Sequence, residues 1–481
     1  MKHILFHLFT LAFVASLSAQ TVPAEFQQHY AFLTNKLDAI ESRIDAEWDG
    51  GKHGMLFSTE LLAANSNRGE DLLESQLRQG IPFILDRLTE LGVNMISVAL
   101  DFPILCDDFP RNDEYLDFYT FVGEEVRKRN MKLLVGAQTI FSDTAWSNLK
   151  VDYSGYTIES YTAEKRRMIE KIIEHVRPDY LTIENEPETM AYNTGLDFSV
   201  DNVIQIIHGL TNGLDRNNVR IGAGTGTWDD PAYIDRMLDE TSIDFIDIHI
   251  YPINVDFVDD RVWSIASKAA TKNLPIIVGE TWLYKTLDSD FSGGTANSPN
   301  LFSRDVYSFW QPLDIRYIDV LTKLGYLHNF AGINPFWFRN LYAYLDYEEV
   351  PQDATPAQLM RMLDQKSAEN VLLGVLSPVG LHYKSIISQA TGIDDTYHSN
   401  ATLPISHVYP NPAQETVNVK VLTGAGSRTS IQVLDMLGRK VAEKTGRGDF
   451  HILDVSALPI GMYCLHVTVN GQQQARLVAI R

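Results

Sequence analysis

Between residues 52 and 391 short apolar runs alternate with longer segments whose apolar residues recur at helical spacing. The short runs predict strands at 54–61, 95–100, 132–138, 180–186, 219–224, 245–251, 275–280 and 332–337. The clearest helical pattern covers 163–176, with Met168, Ile169, Ile172, Ile173 and Val176 on one face and Pro178 as the stop. Strand and helix alternating about eight times predict an α/β fold with a parallel sheet closed into a (β/α)8 TIM barrel. An open doubly wound sheet competes, but no Gly-rich phosphate-binding run follows the first strand. Residues 24–48 read as an additional helix ahead of the barrel.

The pattern changes near residue 392. Asp394, Asp395, Ser399, Asn400 and Pro404 mark a polar linker, followed by alternations of period two such as Val417-Asn418-Val419-Lys420-Val421 and Ser430-Ile431-Gln432-Val433-Leu434. Separated by Gly and Asn turns, these predict a small all-β, Ig-like sandwich. At the other end, Lys2 and His3 precede an apolar run over 4–14 and then the small residues Ala15, Ser16, Ser18 and Ala19. That is the pattern of a secretory signal peptide cut near Ala19 or Gln20. The expected organisation is a signal peptide (1–20), an N-terminal helical extension (21–51), a barrel (52–391), a linker (392–402) and a C-terminal domain (403–481).

Composition narrows the function. A formal net charge of −22 argues against a nucleic-acid partner, because phosphate binding needs a basic face. No later run is apolar and long enough to predict a membrane span. The two cysteines, Cys106 and Cys464, fall in different predicted domains, so neither a disulfide nor a zinc site is expected. No His-Glu-x-x-His spacing occurs, and no metal or organic cofactor is implied.

Barrel enzymes carry their chemistry at the C-terminal ends of the strands. The fourth predicted strand ends Glu184-Asn185-Glu186-Pro187, and the seventh ends Gly279-Glu280-Thr281-Trp282. The sixth ends His249-Ile250-Tyr251, and the eighth Asn334-Pro335-Phe336-Trp337. A carboxylate directly after a buried apolar run is costly unless it is paired or opens into a site. Two of them at one barrel mouth suit glycoside hydrolysis, where one protonates the leaving oxygen and the other attacks the anomeric carbon. Glu184 competes with Glu186 and reads as a buried, paired barrel residue; Glu188 reads as a solvated first-turn charge, and Asp247 as structural. Trp282 and Trp337 read either as core or, at a barrel mouth, as sugar-stacking residues, the reading preferred here, with Tyr284, Phe291, Trp310 and Tyr342 extending that surface. A polar insertion over 286–312, containing Ser292-Gly293-Gly294-Thr295, is expected to wall the cleft.

These strand ends resemble glycoside hydrolase clan A, the retaining β-glycosidases that include endo-glucanases, mannanases and endo-β-1,4-galactanases. The resemblance implies that Glu186 of Asn185-Glu186-Pro187 is the general acid/base, that Asn185 holds the sugar 2-hydroxyl, and that Glu280 is the nucleophile. It further implies that His249 and Tyr251 bond the nucleophile and shape the subsite, and that Trp337 is the aromatic platform. Two positions depart from the clan. Its strand-two Arg is replaced by Ala99-Leu100-Asp101-Phe102, and its strand-three His by Gln138. Losing a cation beside the nucleophile raises that carboxyl's pKa.

A second resemblance covers 403–481. Tyr409-Pro410-Asn411-Pro412-Ala413, Asp435-Met436-Leu437-Gly438-Arg439 and Leu458-Pro459-Ile460-Gly461-Met462-Tyr463 are similar to the type IX secretion C-terminal sorting domain of Bacteroidetes. It implies contact with that secretion machinery, passage across the outer membrane and a secreted or surface location. The expectation is therefore a secreted retaining glycosidase acting on a β-linked glycan. The rival reading, encouraged by the missing Arg, is a non-catalytic, surface-exported carbohydrate-binding protein on the same barrel.

Overall fold

A computed structural model describes residues 21–142, 147–251, 257–291, 299–391, 405–409, 413–421, 428–435, 440–459, 461–469 and 472–480. The signal-peptide reading, the linker and Ser292-Gly293-Gly294-Thr295 lie outside those residues.

Eight strands close into one barrel: β1 (Leu56–Glu60), β2 (Met95–Ala99), β3 (Lys132–Gly136), β4 (Tyr180–Glu184), β5 (Arg220–Gly226), β6 (Phe245–Ile250), β7 (Ile276–Thr281) and β8 (Gly332–Pro335). Each pairs in parallel with the next, and β8 pairs with β1, which an open sheet would not do. The helices used below are α1 (Gln27–Glu47), α2 (Ser75–Leu91), α3 (Asn112–Lys128), α4 (Ile158–Lys171), α5 (Pro187–Thr194), α6 (Val200–Thr211), α7 (Pro231–Glu240), α8 (Trp263–Thr271), α9 (Pro299–Phe302) and α10 (Gln311–Leu327).

Two strands, β4 and β8, end earlier than the apolar runs predict. β4 stops at Glu184, leaving Asn185 and Glu186 in the turn, because Pro187 starts α5 with its fixed φ and absent N–H. β8 likewise stops at Pro335, so Trp337 lies beyond the sheet. Inside, Met95, Leu134, Phe245 and Ile277 form a dry cluster, flanked by Leu56, Tyr180 and Ala331 near the strand starts. Each such buried side chain contributes roughly 1.5–3 kcal/mol of transfer free energy. Along β6 the same face then turns from Phe245 to Asp247 to His249, so the barrel interior is apolar below and ionisable at its mouth.

The amphipathic pattern at 163–176 becomes α4, capped by Thr157 and Ser160 and continued by a π turn over Ile172–Val176. Its inner face carries Lys165, wholly buried, whose Nζ donates to Glu184 Oε1 at 2.7 Å; the Tyr161 hydroxyl donates to the same oxygen at 2.7 Å. Glu184 is thus the paired carboxylate, and Glu188 is exposed. The helix ahead of the barrel is α1, which buries Leu33, Leu37, Ile40 and Ile44 and is tied to α10 through Arg316 and the carboxylates of Asp38 and Glu41.

The insertion after β7 is partly structured. Arg304 donates to Asp290 at 2.8 Å and to the Lys285 carbonyl at 3.2 Å, while Lys285 itself is buried against Asp305 and Asp314. Pro312, expected in the loop, sits in the first turn of α10.

The C-terminal segment forms two antiparallel sheets. One has the order β13 (Phe450–Asp454), β10 (Thr416–Val421), β9 (Ile405–Tyr409). The other has the order β12 (Lys440–Arg447), β11 (Arg428–Asp435), β14 (Gly461–Val469), β15 (Gln472–Ile480). Val417, Val419, Ile431, Val433, Leu465 and Val467 make a core of their own between them. Cys106 is a buried free thiol whose pKa burial pushes up to about 12; the side chain of Cys464 lies outside those described. Among the described residues no single helix is long and apolar enough to cross a membrane.

Candidate active site

The two carboxylates singled out from sequence meet through one imidazole. Glu186 is the N-cap of α5 in the left-handed region, with φ 49° and ψ 65°, an uncommon place for a side chain of this size. The Asn185 side chain accepts the Glu186 N–H at 2.8 Å and helps hold that turn. Across the mouth, β7 delivers Glu280. One oxygen of Glu186, one of Glu280 and a ring nitrogen of His249 all lie within 4.8 Å of one another.

His249 stands between them. Its Nδ1 is 2.5 Å from Glu186 Oε1 and 3.6 Å from Glu280 Oε2, and its Nε2 is 3.9 Å from Asp247 Oδ1. The closer partner is therefore Glu186, whereas the resemblance implies a bond to Glu280. Tyr251 does bond the expected partner: its hydroxyl donates to Glu280 Oε2 at 2.8 Å. Burial alone would lower the His249 pKa. The charges of Glu280, Glu186 and Asp247 outweigh it and push the imidazole up to about 10.

Glu280 moves the other way from an ordinary carboxylate. Burial raises its pKa, Glu186 and Glu60 add to the rise, and His249 and Tyr251 oppose it, leaving it pushed up to about 8. The missing strand-two Arg is visible here, since the cation acting on Glu280 is His249. At the Arg position, Asp101 is buried and accepts from Ser66 Oγ at 2.7 Å, Asn67 Nδ2 at 3.1 Å and the Gln138 N–H at 3.1 Å; burial raises its pKa to about 6.

Asp247 is spent on scaffolding, as read from sequence. It accepts from Thr182 Oγ1 at 2.6 Å and from the Gly279 N–H at 2.9 Å. A Cβ at residue 279 would lie 2.2 Å from Asp247 Oδ1, so only glycine lets the carboxylate reach that N–H and fix the residue before Glu280.

The aromatics divide. Tyr284 stacks on Tyr251 with ring centroids 4.9 Å apart, and Phe336 meets Tyr251 edge-on at 6.4 Å. Trp337 lies just past β8 at 9% exposure, against Phe302. Trp282 is only 1% exposed, so its ring has no face free for a sugar. Trp310 and Tyr342 are core residues: Trp310 stacks under Tyr30 of α1, and Tyr342 packs on Phe338. Their apolar bulk placed them inside instead of along the cleft. The side chain of Phe291 lies outside those described.

Two acidic groups escaped the sequence reading. Glu60, at the end of β1, lines the same cavity as Asp101, Gln138, Asp247, His249, Glu280 and Phe336, and burial pushes its pKa up to about 7. Asp229, on the turn after β5, is buried beside Glu186. Glu60 closes β1 after Ser58 and Thr59, and Asp229 stands three residues beyond β5, so neither follows an apolar run directly, the signal that marks Glu186 and Glu280. Asn185 is buried at the foot of Glu186, beside the mouth.

Residues 407–481 match the family model of the secretion system C-terminal sorting domain. A search of curated proteins finds no match by sequence. Solved structures similar to the chain include an endo-β-1,4-mannanase from Thermotoga petrophila, at 11% identity and TM-score 0.37 over 90% of this chain and 98% of that one. An endo-β-1,4-mannanase from Cellulomonas fimi matches at 13% identity and TM-score 0.39, over 93% and 97%. A β-glucosidase from Exiguobacterium marinum matches at 10% and 0.42, over 70% and 99%. The barrel is read from its own strand order.

Proposed function

We propose that the barrel is a retaining glycoside hydrolase acting on a β-linked glycan, with Glu280 as nucleophile and Glu186 as acid/base. The observation that carries this is the spacing of the two carboxyls, whose nearest oxygens lie within 4.8 Å across His249. Retaining enzymes hold the pair at about 5–5.5 Å, whereas inverting ones need roughly 6.5–9.5 Å for an intervening water.

In the first step a Glu280 oxygen bonds to the anomeric carbon as the glycosidic bond breaks, and the leaving oxygen takes the proton of Glu186. In the second, water gives a proton to Glu186 as its oxygen displaces Glu280, which regenerates both groups. His249 keeps a proton between the two carboxyls, and Tyr251 orients the attacking oxygen of Glu280 through its hydrogen bond. Asn185, at the 2-hydroxyl, and Trp337, as the aromatic platform, are the sugar contacts of this proposal. The C-terminal segment is the address: its sorting-domain match supports export by the type IX machinery to the surface or beyond, with the glycan met outside the cell.

Reducing-end release from β-glucan, mannan, galactan, xylan and arabinogalactan tests the reading, with wild type set against Glu280→Gln. Release that vanishes in the variant supports it; inverted product configuration would sink it. Binding without release would favour the carbohydrate-binding alternative. Because Glu186, His249 and Glu280 also present donors close enough to hold a metal ion, a chelator arm belongs in the same assay. Activity that survives chelation fits the two-carboxylate scheme.

A further inference from the structure

Glu186 occupies the N-cap of α5 yet makes no capping bond, because its carboxylate is turned to His249. An N-cap side chain normally accepts from the first free N–H groups of its helix. Here Pro187 has none, and Glu188 offers the first. The acceptor comes from another strand: Asp229 Oδ1 receives the Glu188 N–H at 3.3 Å, while Oδ2 receives the Gly226 N–H at 2.7 Å. Asp229 is 2% exposed. Its own backbone is held on both sides, by its N–H to the Gly226 carbonyl at 3.1 Å and by Arg261 Nη1 donating to its carbonyl at 3.1 Å. The neighbouring Thr227 N–H donates to the His249 carbonyl at 2.9 Å, so one short turn joins β5, β6 and α5.

We propose that Asp229 is a positioning residue for the acid/base: it caps α5 in place of Glu186 and so frees the Glu186 carboxylate to face His249 and the substrate. Burying a carboxyl this deeply, beside the charges of Glu186 and Glu188, is unfavourable and raises its pKa well above the usual range. What offsets that cost is two backbone N–H bonds. They pin the chain on the C-terminal side of the left-handed Glu186, as Asn185 pins the N-terminal side. Asparagine cannot substitute, because it has one acceptor oxygen where the site presents two N–H donors.

The inference rests on the acid/base role given to Glu186, and the test separates the two. Values of kcat/KM, which report bond cleavage and not the later hydrolysis of the glycosyl-enzyme, are measured on an oligosaccharide and on the dinitrophenyl glycoside of the sugar released from the glycan panel. A poor leaving group needs protonation, and dinitrophenolate does not. Glu186→Ala is expected to lose about 10²–10⁴-fold on the oligosaccharide and little on the dinitrophenyl glycoside. Asp229→Asn should show the same asymmetry in weaker form, about tenfold or more against less than about threefold. This ratio does not depend on how much of the variant is folded. The control is Asp230→Asn, next in the chain, whose exposed side chain caps α7 through the Ala232 N–H and should leave the ratio unchanged. Equal loss on both substrates in Asp229→Asn, or none, overturns the proposal while leaving Glu186 in its role. If Glu186→Ala shows no asymmetry, or wild type cleaves neither substrate, the acid/base reading falls and the inference with it.

Discussion

At the scale of single residues, the site is short of cations. In the proposed reaction the two carboxyls act in opposite protonation states while sharing one imidazole, and the nucleophile must be ionised to attack. With Glu280 pushed up to about 8, activity should fall as pH drops below that value. With His249 pushed up to about 10, the imidazolium loses its proton, and activity should fall again, as pH rises past that value. The two limbs belong to the coupled cluster and not to one group each. A bell-shaped profile of kcat/KM centred between about 8 and about 10 is therefore expected, and an optimum near pH 5 would contradict it. Tyr251→Phe removes the neutral donor that favours ionised Glu280. A hydrogen bond to a charged group is worth about 1.5–3 kcal/mol, so kcat/KM should drop roughly ten- to a hundredfold, with the acid limb moving to higher pH. A variant with wild-type rate and profile would remove Tyr251 from the chemistry.

At the scale of elements, the buried ion pair between α4 and β4 locks the strand that leads into Glu186. Lys165 and Glu184 have no water to fall back on. Lys165→Met should destabilise by about 3–5 kcal/mol in denaturant unfolding, because it strands Glu184 without its cation; adding Glu184→Gln should recover part of that loss. A double variant no more stable than the single would show that the pair is not the reason. This same region marks what sequence reading reaches. Period-two alternation and strand-ending carboxylates put Glu186, His249, Tyr251 and Glu280 at one mouth, because those signals are local. The pairing of Glu184 with Lys165, and the choice of His249 for Glu186 over Glu280, depend on how far side chains reach across the barrel. Asp229 was unreadable for a related reason: its role is a bond to an N–H on another element, left open by a proline 42 positions earlier in the chain.

At the scale of the whole molecule, carboxyls buried in the site and beside Lys285 set the pH dependence of stability. Glu60 near 7, Asp101 near 6, Asp305 near 7 and Glu280 near 8 all lie above their unfolded values. Each keeps its proton in the folded state after the unfolded chain has lost it. Their contribution is complete below about pH 4 and is lost as pH rises through those folded values. Unfolding free energy should then decline from about pH 5 to about pH 8, across the range where the proposed nucleophile becomes ionised. Fully active protein is thus expected to be less stable than inactive protein at mildly acidic pH. Glu60→Gln isolates one contributor, since the amide oxygen can still accept from Asn65, as Glu60 Oε1 does at 2.7 Å. The gain over wild type should be near zero at pH 4 and grow to as much as about 3 kcal/mol above pH 7, following the 1.36 kcal/mol per pKa unit. Chemical denaturation of both proteins at pH 4, 6 and 8 measures the divergence, and parallel curves would show that Glu60 ionises in the fold as freely as in the unfolded chain.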